Sequence, residues 1–208
     1  MLQSESITFA YDKVNQFLFP DIKLEKEEDL LILGKSGVGK TTLIQILAGL
    51  LKPQSGTLKY NGLSYHDLPS KELDLFRGKH IGMVFQRPHF VRNISILDNL
   101  LLSLYLSNNK QDKERTIDLL EKIGLADKLN CKPDELSHGE QQRVAIAMAV
   151  VKNPDLILAD EPTSSLDDIN CEKIITLLKE QASSTNAQLI IITHDSRLKS
   201  QFKKSITL

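Results

Sequence analysis

The chain has 208 residues, of which 41% are hydrophobic and 25% are charged. These proportions are those of a folded globular protein with one large domain or two small ones, so they exclude a disordered or low-complexity chain. The 26 basic and 27 acidic residues leave a formal net charge of −1, which gives no electrostatic reason to expect nucleic acid as the main ligand.

Cysteine content and hydropathy predict a protein with reduced thiols and no membrane span. Cys131 and Cys171 are too few for a disulfide framework, and nothing around them has the spacing of metal ligands. The N-terminus lacks a basic start followed by an apolar run, so no secretory signal is predicted. The longest apolar stretch, residues 94–106, is interrupted by four polar residues, and it falls short of the ~18 residues that span a bilayer. We therefore expect a soluble chain.

The first sixty residues have the composition of short strands. Residues 6–11 and 17–24 are rich in β-prone side chains and are separated by polar turns. Residues 56–62 form a further strand fragment that ends in Asn61-Gly62, which is a strong turn signal.

Three later apolar runs are continuous rather than alternating, which is typical of strands covered on both faces in a parallel sheet. They are residues 30–33, 156–159 and 189–192, and each is followed directly by glycine or polar residues. Because ligands of open α/β sheets bind beyond the carboxyl ends of the strands, we expect the chemistry at these three ends.

Residues 87–152 have helical patterns. Ser95, with Asp98 three residues later, predicts a capped helix start. A second helix is predicted over residues 112–123, ended by Gly124, and a third over residues 140–152.

Residues 34–41 match the phosphate-binding pattern G-x-x-x-x-G-K-[ST] in full, between an apolar strand and a predicted helix over residues 42–51. Glycines allow successive backbone N–H groups to converge on a phosphate. The lysine adds a cation for the β- and γ-phosphates, the threonine hydroxyl can bind Mg²⁺, and the helix N-terminus favours the same anion. The predicted nucleotide-binding residues here are Gly34, Lys35, Ser36, Gly37, Val38, Gly39, Lys40, Thr41 and Thr42.

The run over residues 156–159 ends in two adjacent carboxylates, Asp160 and Glu161. Their side chains diverge and can take separate roles, one toward hydrated Mg²⁺ and the other toward the attacking water. In a chain that also has a phosphate loop, this strand end predicts a nucleotide-hydrolysing site.

Residues 136–143, Leu-Ser-His-Gly-Glu-Gln-Gln-Arg, resemble the signature of the ATP-binding cassette (ABC) family of transport ATPases, and the resemblance extends over essentially the whole chain. It implies that Glu161 is the general base and that Asp160 and Thr41 bind Mg²⁺. It also implies that Tyr11 stacks on adenine, that Gln86 touches Mg²⁺ and the lytic water, and that His194 contacts the γ-phosphate. Ser137 and Gly139 would be the signature residues. A loop that crosses a dimer interface would be formed by Ser164, Ser165, Leu166 and Asp167.

The signature departs from the family pattern Leu-Ser-Gly-Gly-Gln at two positions. His138 replaces the first glycine and Glu140 replaces the glutamine, whereas Ser137 and Gly139 are retained. Glu140 adds a negative charge near a polyphosphate, so it is expected to weaken binding unless it points away.

The resemblance implies an α/β phosphate-loop NTPase with a RecA-like parallel core sheet, an N-terminal antiparallel β subdomain and an inserted helical subdomain. Residues 1–208 would form one ABC ATPase domain, with the core over about 1–86 and 153–208 and the helical, signature-bearing part over about 87–152. The implied ligands are ATP and Mg²⁺. The implied partners are a second copy, arranged head to tail, and an integral-membrane permease subunit whose short helix docks near residues 87–94; no nucleic-acid partner is expected.

The details look most like the lipoprotein-releasing and macrolide-export branch, acting in the cytoplasm on the inner face of the cell membrane. One alternative is an ABC ATPase of a membrane complex that transports nothing, such as the cell-division type. Another is a soluble ABC ATPase acting on DNA or ribosomes. The second alternative usually has a long coiled-coil insertion or tandem cassettes, which this chain does not show.

Overall fold

The computed structural model describes residues 1–12, 15–164 and 166–208, so Ser165 of the predicted interface loop lies outside the described residues. Four N-terminal strands form an antiparallel sheet in which the other three pair with β1. The turn predicted after the last of them is confirmed, since Asn61 and Gly62 both have positive φ. The strands are β1 (Leu2–Ala10), β2 (Gln16–Leu18), β3 (Ile22–Leu24) and β5 (Ser55–Tyr60).

A second sheet has five parallel strands in the order β6-β7-β8-β4-β9, which confirms the predicted parallel core. Helices cover both faces, and this explains the unbroken apolar runs in its central strands. The strands are β4 (Asp29–Leu33), β6 (Ile81–Val84), β7 (Leu156–Asp160), β8 (Gln188–Thr193) and β9 (Lys204–Thr207).

Six α-helices complete the described part of the chain, and several start at capping residues. Ser95 caps the third helix by accepting from the Asp98 N–H, as predicted. The helices are α1 (Lys40–Leu47), α2 (Ser70–His80), α3 (Ile96–Leu106), α4 (Lys113–Lys122), α5 (His138–Val150) and α6 (Asp168–Thr185).

Two predicted helices, over residues 42–51 and 140–152, are shifted toward the N-terminus, and each shift has a local cause. The helix predicted over residues 42–51 ends at Leu47, because Gly49 adopts φ 68° and turns the chain out of the helix. The helix predicted to start at residue 140 starts at His138, because Ser137 is the N-cap and Glu140 completes its capping box.

Helices α3, α4 and α5 pack on one another around their own apolar cluster. Ile96 and Leu100 of α3, Leu120 of α4 and Val144 of α5 are fully buried there. No helix within the described residues is long and apolar enough to cross a membrane.

Strands β4, β7 and β8 lie side by side and place three chain segments at one edge of the sheet. Leu33 is in register with Thr193, and Asp160 with Ile192. The residues that come next in the chain, Gly34, Glu161 and His194, therefore emerge together at the carboxyl ends of neighbouring strands, where a ligand of an open α/β sheet binds.

Candidate active site

The phosphate loop connects β4 to α1, and its glycines are required for different physical reasons. Gly37 has φ 85° and open space where a Cβ would lie, so glycine is required there for its backbone conformation and not for lack of space. At Gly34 a Cβ would meet Val38 Cγ2 at 2.8 Å. At Gly39, which caps α1 with φ 94°, a Cβ would lie 2.6 Å from Phe17 Cδ1.

A cavity of about 970 Å³ lies over this loop and gathers most of the predicted site. It is lined by Gly34, Lys35, Ser36, Gly37, Val38, Gly39, Lys40, Thr41, Thr42, Gln86, Glu161 and His194, which come from four separate segments of the sequence. Phe17, Ser196, Thr207 and Leu208 also line it, and none of these four was predicted from the sequence.

Lys40 and Glu161, which both line the cavity, form a buried ion pair. Lys40 Nζ lies 3.2 Å from Glu161 Oε1, and both side chains are 8% exposed. The same ammonium group donates to the carbonyls of Gly34 at 2.7 Å and Lys35 at 2.9 Å. The lysine cation is therefore held between the loop and the strand end, in the position from which it can reach a phosphate.

The second oxygen of Glu161 accepts three hydrogen bonds from β8 and the residue after it. Oε2 accepts from Thr193 Oγ1 at 2.9 Å, from the His194 backbone N–H at 3.3 Å and from the His194 ring Nδ1 at 2.9 Å. Burial by itself raises the pKa of Glu161, but the hydrogen bonds from His194, Thr193 and Lys40 outweigh it and leave that pKa below its usual value. Glu161 is thus an ionised carboxylate at neutral pH.

The backbone of Glu161 is in the left-handed region, with φ 48°. A side chain other than glycine is strained there, and such strain persists only where surrounding contacts over-determine the conformation. The Glu161 N–H donates to Ile192 O at 2.8 Å, which extends the β7–β8 pairing by one residue before the chain turns. The Glu161 carboxylate is thereby directed back over the ends of the strands.

Asp160 occupies a different environment from its neighbour. It is 4% exposed, and its Oδ1 is buried with no hydrogen-bond partner among the described residues. Burial raises its pKa; a hydrogen bond with Thr41 lowers it, and the charge of Glu161 raises it again. A buried carboxylate oxygen without a partner, beside a threonine hydroxyl, is a donor set of the kind that Mg²⁺ takes, so the residues present fit this ion.

Tyr11 does not line the cavity but stands next to it. Its hydroxyl lies 3.2 Å from Thr42 Oγ1, its side chain is exposed, and its ring meets the Phe17 ring edge-on with centroids 6.3 Å apart. Phe17 therefore lines the cavity at a place where only Tyr11 was predicted. The aromatic residues at positions 17 and 19 indicate that a ring of this segment could line the cavity. The alternation of side chains along so short a strand does not show which of the two rings faces the phosphate loop.

The signature residues lie outside this cavity. Ser137 and Gly139 belong to the start of α5, where the Ser137 Oγ–H donates to Glu140 Oε2 at 2.7 Å and the Ser137 N–H donates to the same oxygen at 2.8 Å. The hydrogen bonds from the Ser137 side chain and backbone hold the pKa of Glu140 below its usual value. The Glu140 carboxylate therefore points toward the signature serine rather than away from it.

Asp167 is also outside the cavity and caps α6. Its carboxylate accepts from the Asn170 N–H at 2.9 Å and from the Asn170 side chain at 2.7 Å. The same chain thus brings the phosphate loop, Gln86, Glu161 and His194 together, and it leaves Ser137, Gly139 and Asp167 on other surfaces.

Comparison with known proteins decides the family. The profile described as "ABC transporter" matches residues 20–164, which is more than half of the chain. The chain belongs to the ABC transporter family. It is therefore an ATP-binding and ATP-hydrolysing subunit of an ABC transporter.

Similar proteins of known name agree with this assignment. The lipoprotein-releasing system ATP-binding protein LolD of Buchnera aphidicola (subspecies Schizaphis graminum) is 40% identical over 85% of this chain and 78% of its own length. LolD of Bacteroides thetaiotaomicron is 37% identical over 95% and 92%, respectively.

Among solved structures, the dimeric ABC transporter cassette MJ0796 is similar, with a TM-score of 0.90 and 31% identity over 100% of this chain and 94% of that one. A post-hydrolysis state of MJ0796, bound to ADP and Pi, matches equally well. The expected fold, a phosphate-loop NTPase of the ABC type, is thereby confirmed.

Proposed function

We propose that this ABC ATPase is of the lipoprotein-releasing type, and that ATP-driven closure of two copies moves a separate membrane subunit. The names of the similar LolD proteins support the type, and the dimeric cassette MJ0796 supports the pairing of two copies. The observation that carries the chemistry is the Glu161 carboxylate, held between Lys40 and His194 at the phosphate loop.

ATP binding requires Lys40 to exchange its partners within the chain for phosphate oxygens. Lys40 leaves the loop carbonyls and moves to the β- and γ-phosphates. The N–H groups of the loop and of the first turn of α1 donate hydrogen bonds to the phosphate oxygens. Tyr11, beside Thr42, stacks on the adenine. Thr41, Gln86 and Asp160 would hold Mg²⁺, which would neutralise negative charge on the phosphates.

Glu161 then acts as general base. Once Lys40 turns to the phosphates, the Glu161 carboxylate loses one of the partners that lower its pKa, and the negative γ-phosphate raises that pKa further. The carboxylate becomes a better proton acceptor at the moment when substrate is in place. It takes a proton of the attacking water as the water oxygen bonds to the γ-phosphorus and the bond from that phosphorus to the bridging oxygen breaks. The products are ADP and inorganic phosphate.

His194 positions the base and contacts the γ-phosphate. Because a carboxylate only accepts, the ring nitrogen Nδ1 must donate to Glu161, and Nε2 of the neutral ring then has no hydrogen. The ring must take a second proton, or turn, before it can donate to a phosphate. Gln86, which also lines the cavity, orients the attacking water.

Two copies are needed to complete each site. Ser137, Gly139 and Asp167 lie outside the cavity of their own chain, so in a head-to-tail pair they reach the nucleotide of the other copy. The N-terminus of α5 then faces the γ-phosphate from the side opposite the phosphate loop, and its unpaired N–H groups favour that anion.

The same proposal places the chain in the cytoplasm, on the inner face of the cell membrane. The ATPase core comprises about residues 1–86 and 153–208, and the helical part that carries the signature comprises about residues 87–152. The permease subunit docks on the surface near residues 87–94.

Glu161→Gln tests the chemical step. The amide keeps the shape of the side chain but cannot accept the proton, so we expect ATP turnover to fall by roughly 10²–10⁴ while ATP binding is retained. Light scattering with ATP should show a persistent dimer. Glu135→Gln, at a capping carboxylate outside the cavity, is the control. Turnover like that of the wild type in Glu161→Gln would overturn the assignment.

A mixing experiment tests the head-to-tail arrangement. Lys40→Met and Ser137→Arg should each be inactive alone. In a heterodimer of the two variants, one composite site contains both defects and the other contains neither. Random pairing should therefore restore up to about a quarter of the wild-type activity. If the mixture is no more active than the separate variants, the signature acts within its own chain.

A further inference from the structure

Arg197, in the segment that follows β8, joins two separate parts of the chain. It belongs to a short 3₁₀ helix (Ser196–Gln201) whose N-cap is Asp195. The Arg197 guanidinium donates from Nε to Asp195 Oδ1 at 2.8 Å and from Nη2 to Asp195 Oδ2 at 2.6 Å. Its remaining nitrogen, Nη1, donates to Oδ1 of Asp168. A single planar guanidinium thus bridges two carboxylates, which the point charge of a lysine could not do in the same way.

On one side, these contacts lead to the catalytic carboxylate. The Asp195 N–H donates to Thr193 Oγ1 at 3.1 Å, and the Thr193 hydroxyl donates to Glu161 Oε2 at 2.9 Å. Because an ionised carboxylate only accepts, the threonine hydrogen must point toward Glu161 while a lone pair takes the Asp195 N–H. The position of Asp195 therefore orients the hydroxyl that holds Glu161, and His194 lies between Thr193 and Asp195 in the chain.

On the other side, the contacts lead to α6, which is firmly packed. Asp168 is the first residue of this 18-residue helix. Ile175 and Leu178 of the same helix are fully buried in the apolar cluster beside the parallel sheet. Asp168 is thus a fixed point of the fold against which the guanidinium can be held.

Packing alone does not hold the segment between β8 and the 3₁₀ helix. A cavity of about 350 Å³ lies beside it, lined by Thr163, Ser164 and Leu166 and by residues 193–197. All five residues of the segment therefore border open space on that side. The ion pair between Arg197 and Asp168 supplies a restraint that the neighbouring side chains do not.

Exposure shows that this pair is not needed for the stability of the fold. The Arg197 side chain is 57% exposed and that of Asp168 is 82% exposed, and ion pairs at such positions contribute little to stability. Arg197 also lies outside the nucleotide cavity, whereas His194 and Ser196 line it. The guanidinium is therefore next to the residues at the nucleotide but is not one of them.

We propose that Arg197 is a positioning residue for ATP hydrolysis, and that by clamping Asp195 to Asp168 it fixes the segment that orients Glu161 and His194. The inference rests on the proposed role of Glu161 as general base. Without the clamp, the segment shifts relative to α6, and the Thr193 hydroxyl no longer holds Glu161 in one place. Misplacement of a catalytic group slows the chemical step. It leaves the phosphate loop, and with it nucleotide binding, unchanged.

Steady-state ATPase kinetics of the full chain with Mg²⁺ and ATP test the clamp. Arg197→Ala should lower kcat by roughly tenfold and leave KM within about twofold of the wild type. Arg197→Lys should restore only part of kcat, because an ammonium group cannot bridge both carboxylates as the guanidinium does. The melting temperature of each variant should fall by no more than about 4 °C, as expected for an exposed ion pair.

Lys204→Met is the matched control. It removes a partly exposed ion pair with Glu28, at the end of the parallel sheet opposite the nucleotide cavity, and kcat should stay at the wild-type value. Wild-type kcat in Arg197→Ala would overturn the inference. A rise of KM in Arg197→Ala as large as the fall of kcat would also overturn it, since Arg197 would then act on nucleotide binding.

A double-mutant cycle tests whether the two ends of the clamp act together. Asp168→Ala should lower kcat by less than Arg197→Ala, because Asp195 keeps its own contact with the guanidinium. In an Arg197→Ala background, Asp168→Ala should have no further effect, since the contact that it breaks is already absent. If the two reductions in kcat multiply, the residues act independently and the inference is overturned.

The clamp and the general-base assignment are overturned by different results. If Glu161→Gln is strongly impaired but Arg197→Ala hydrolyses ATP like the wild type, only the clamp is overturned. If Glu161→Gln hydrolyses ATP normally, the general-base assignment is overturned, and with it the clamp that acts through Glu161.

Discussion

Gly39→Ala is the substitution whose cost the structure defines best. Gly39 has φ 94°, a conformation that costs a residue with a Cβ roughly 1–2 kcal/mol. The new Cβ would also lie 2.6 Å from Phe17 Cδ1 and 3.0 Å from Phe17 Cε1. Overpacking of this kind costs about 1–3 kcal/mol. The free energy of unfolding should therefore fall by about 2–5 kcal/mol, the sum of these two costs.

Gly124→Ala is the matched control, because Gly124 has φ 73° and nothing within 4 Å of the place where a Cβ would lie. It should carry only the conformational cost of about 1–2 kcal/mol. For a chain of this size each kcal/mol lowers the melting temperature by about 2–4 °C. Calorimetry should therefore show a drop of roughly 4–20 °C for Gly39→Ala and of roughly 2–8 °C for Gly124→Ala.

A double-mutant cycle isolates the contact with the ring. In a Phe17→Ala background, the added cost of Gly39→Ala should fall to that of Gly124→Ala, since the ring is no longer there to be displaced. The reasoning is refuted if Gly39→Ala destabilises the chain no more than Gly124→Ala, or if its excess cost persists without the Phe17 ring.

Three further predictions concern carboxylates. Asp160→Asn should raise the melting temperature of the nucleotide-free chain at pH 7, because it removes a buried charge. This gain in melting temperature should vanish at pH values below the ordinary aspartate pKa, where Asp160 is protonated in both the folded and the unfolded chain. The variant should also lose the further rise in melting temperature that Mg²⁺ gives when it is added together with nucleotide. Thr193→Val removes a hydrogen bond that lowers the pKa of Glu161, so the acid limb of the ATPase pH profile should move to higher pH. Glu140→Gln keeps the capping box but removes a negative charge beside Ser137; in a Glu161→Gln background it should strengthen ATP-dependent dimerisation roughly three- to tenfold, measured by light scattering.

Matched variants check these expectations. Thr163→Val alters a buried threonine that is not a hydrogen-bond partner of the catalytic carboxylate, and it should leave the acid limb where it is. Glu135→Gln alters a capping carboxylate outside the signature and should not affect the dimer. The Glu140 prediction is contradicted if Glu135→Gln and Glu140→Gln affect dimerisation equally. The Thr193 prediction is contradicted if the acid limb of Thr193→Val does not move. The Asp160 prediction is contradicted if nucleotide-free Asp160→Asn is less stable than the wild type at pH 7.

Much of the fold was predictable because its signals are local. Continuous apolar runs indicated strands covered on both faces, and the parallel sheet has them at its centre. The Asn61-Gly62 turn and the Ser95 cap depend on a few adjacent residues, and both are present. Helix ends were less predictable. Periodicity placed the start of α5 at residue 140, whereas the capping box of Ser137 and Glu140 starts it at His138.

The amino-acid sequence by itself determined the phosphate loop, the acidic end of β7 and the ABC resemblance, because these depend on residue types at short spacings. Only the tertiary structure decided which of these groups meet. The order of the parallel strands puts Lys40, Glu161 and His194 in contact, directs Phe17 toward Gly39 and leaves the signature on another surface. No short-range pattern contains these facts, because each depends on segments that are far apart in the chain and meet only when the sheet and helices pack.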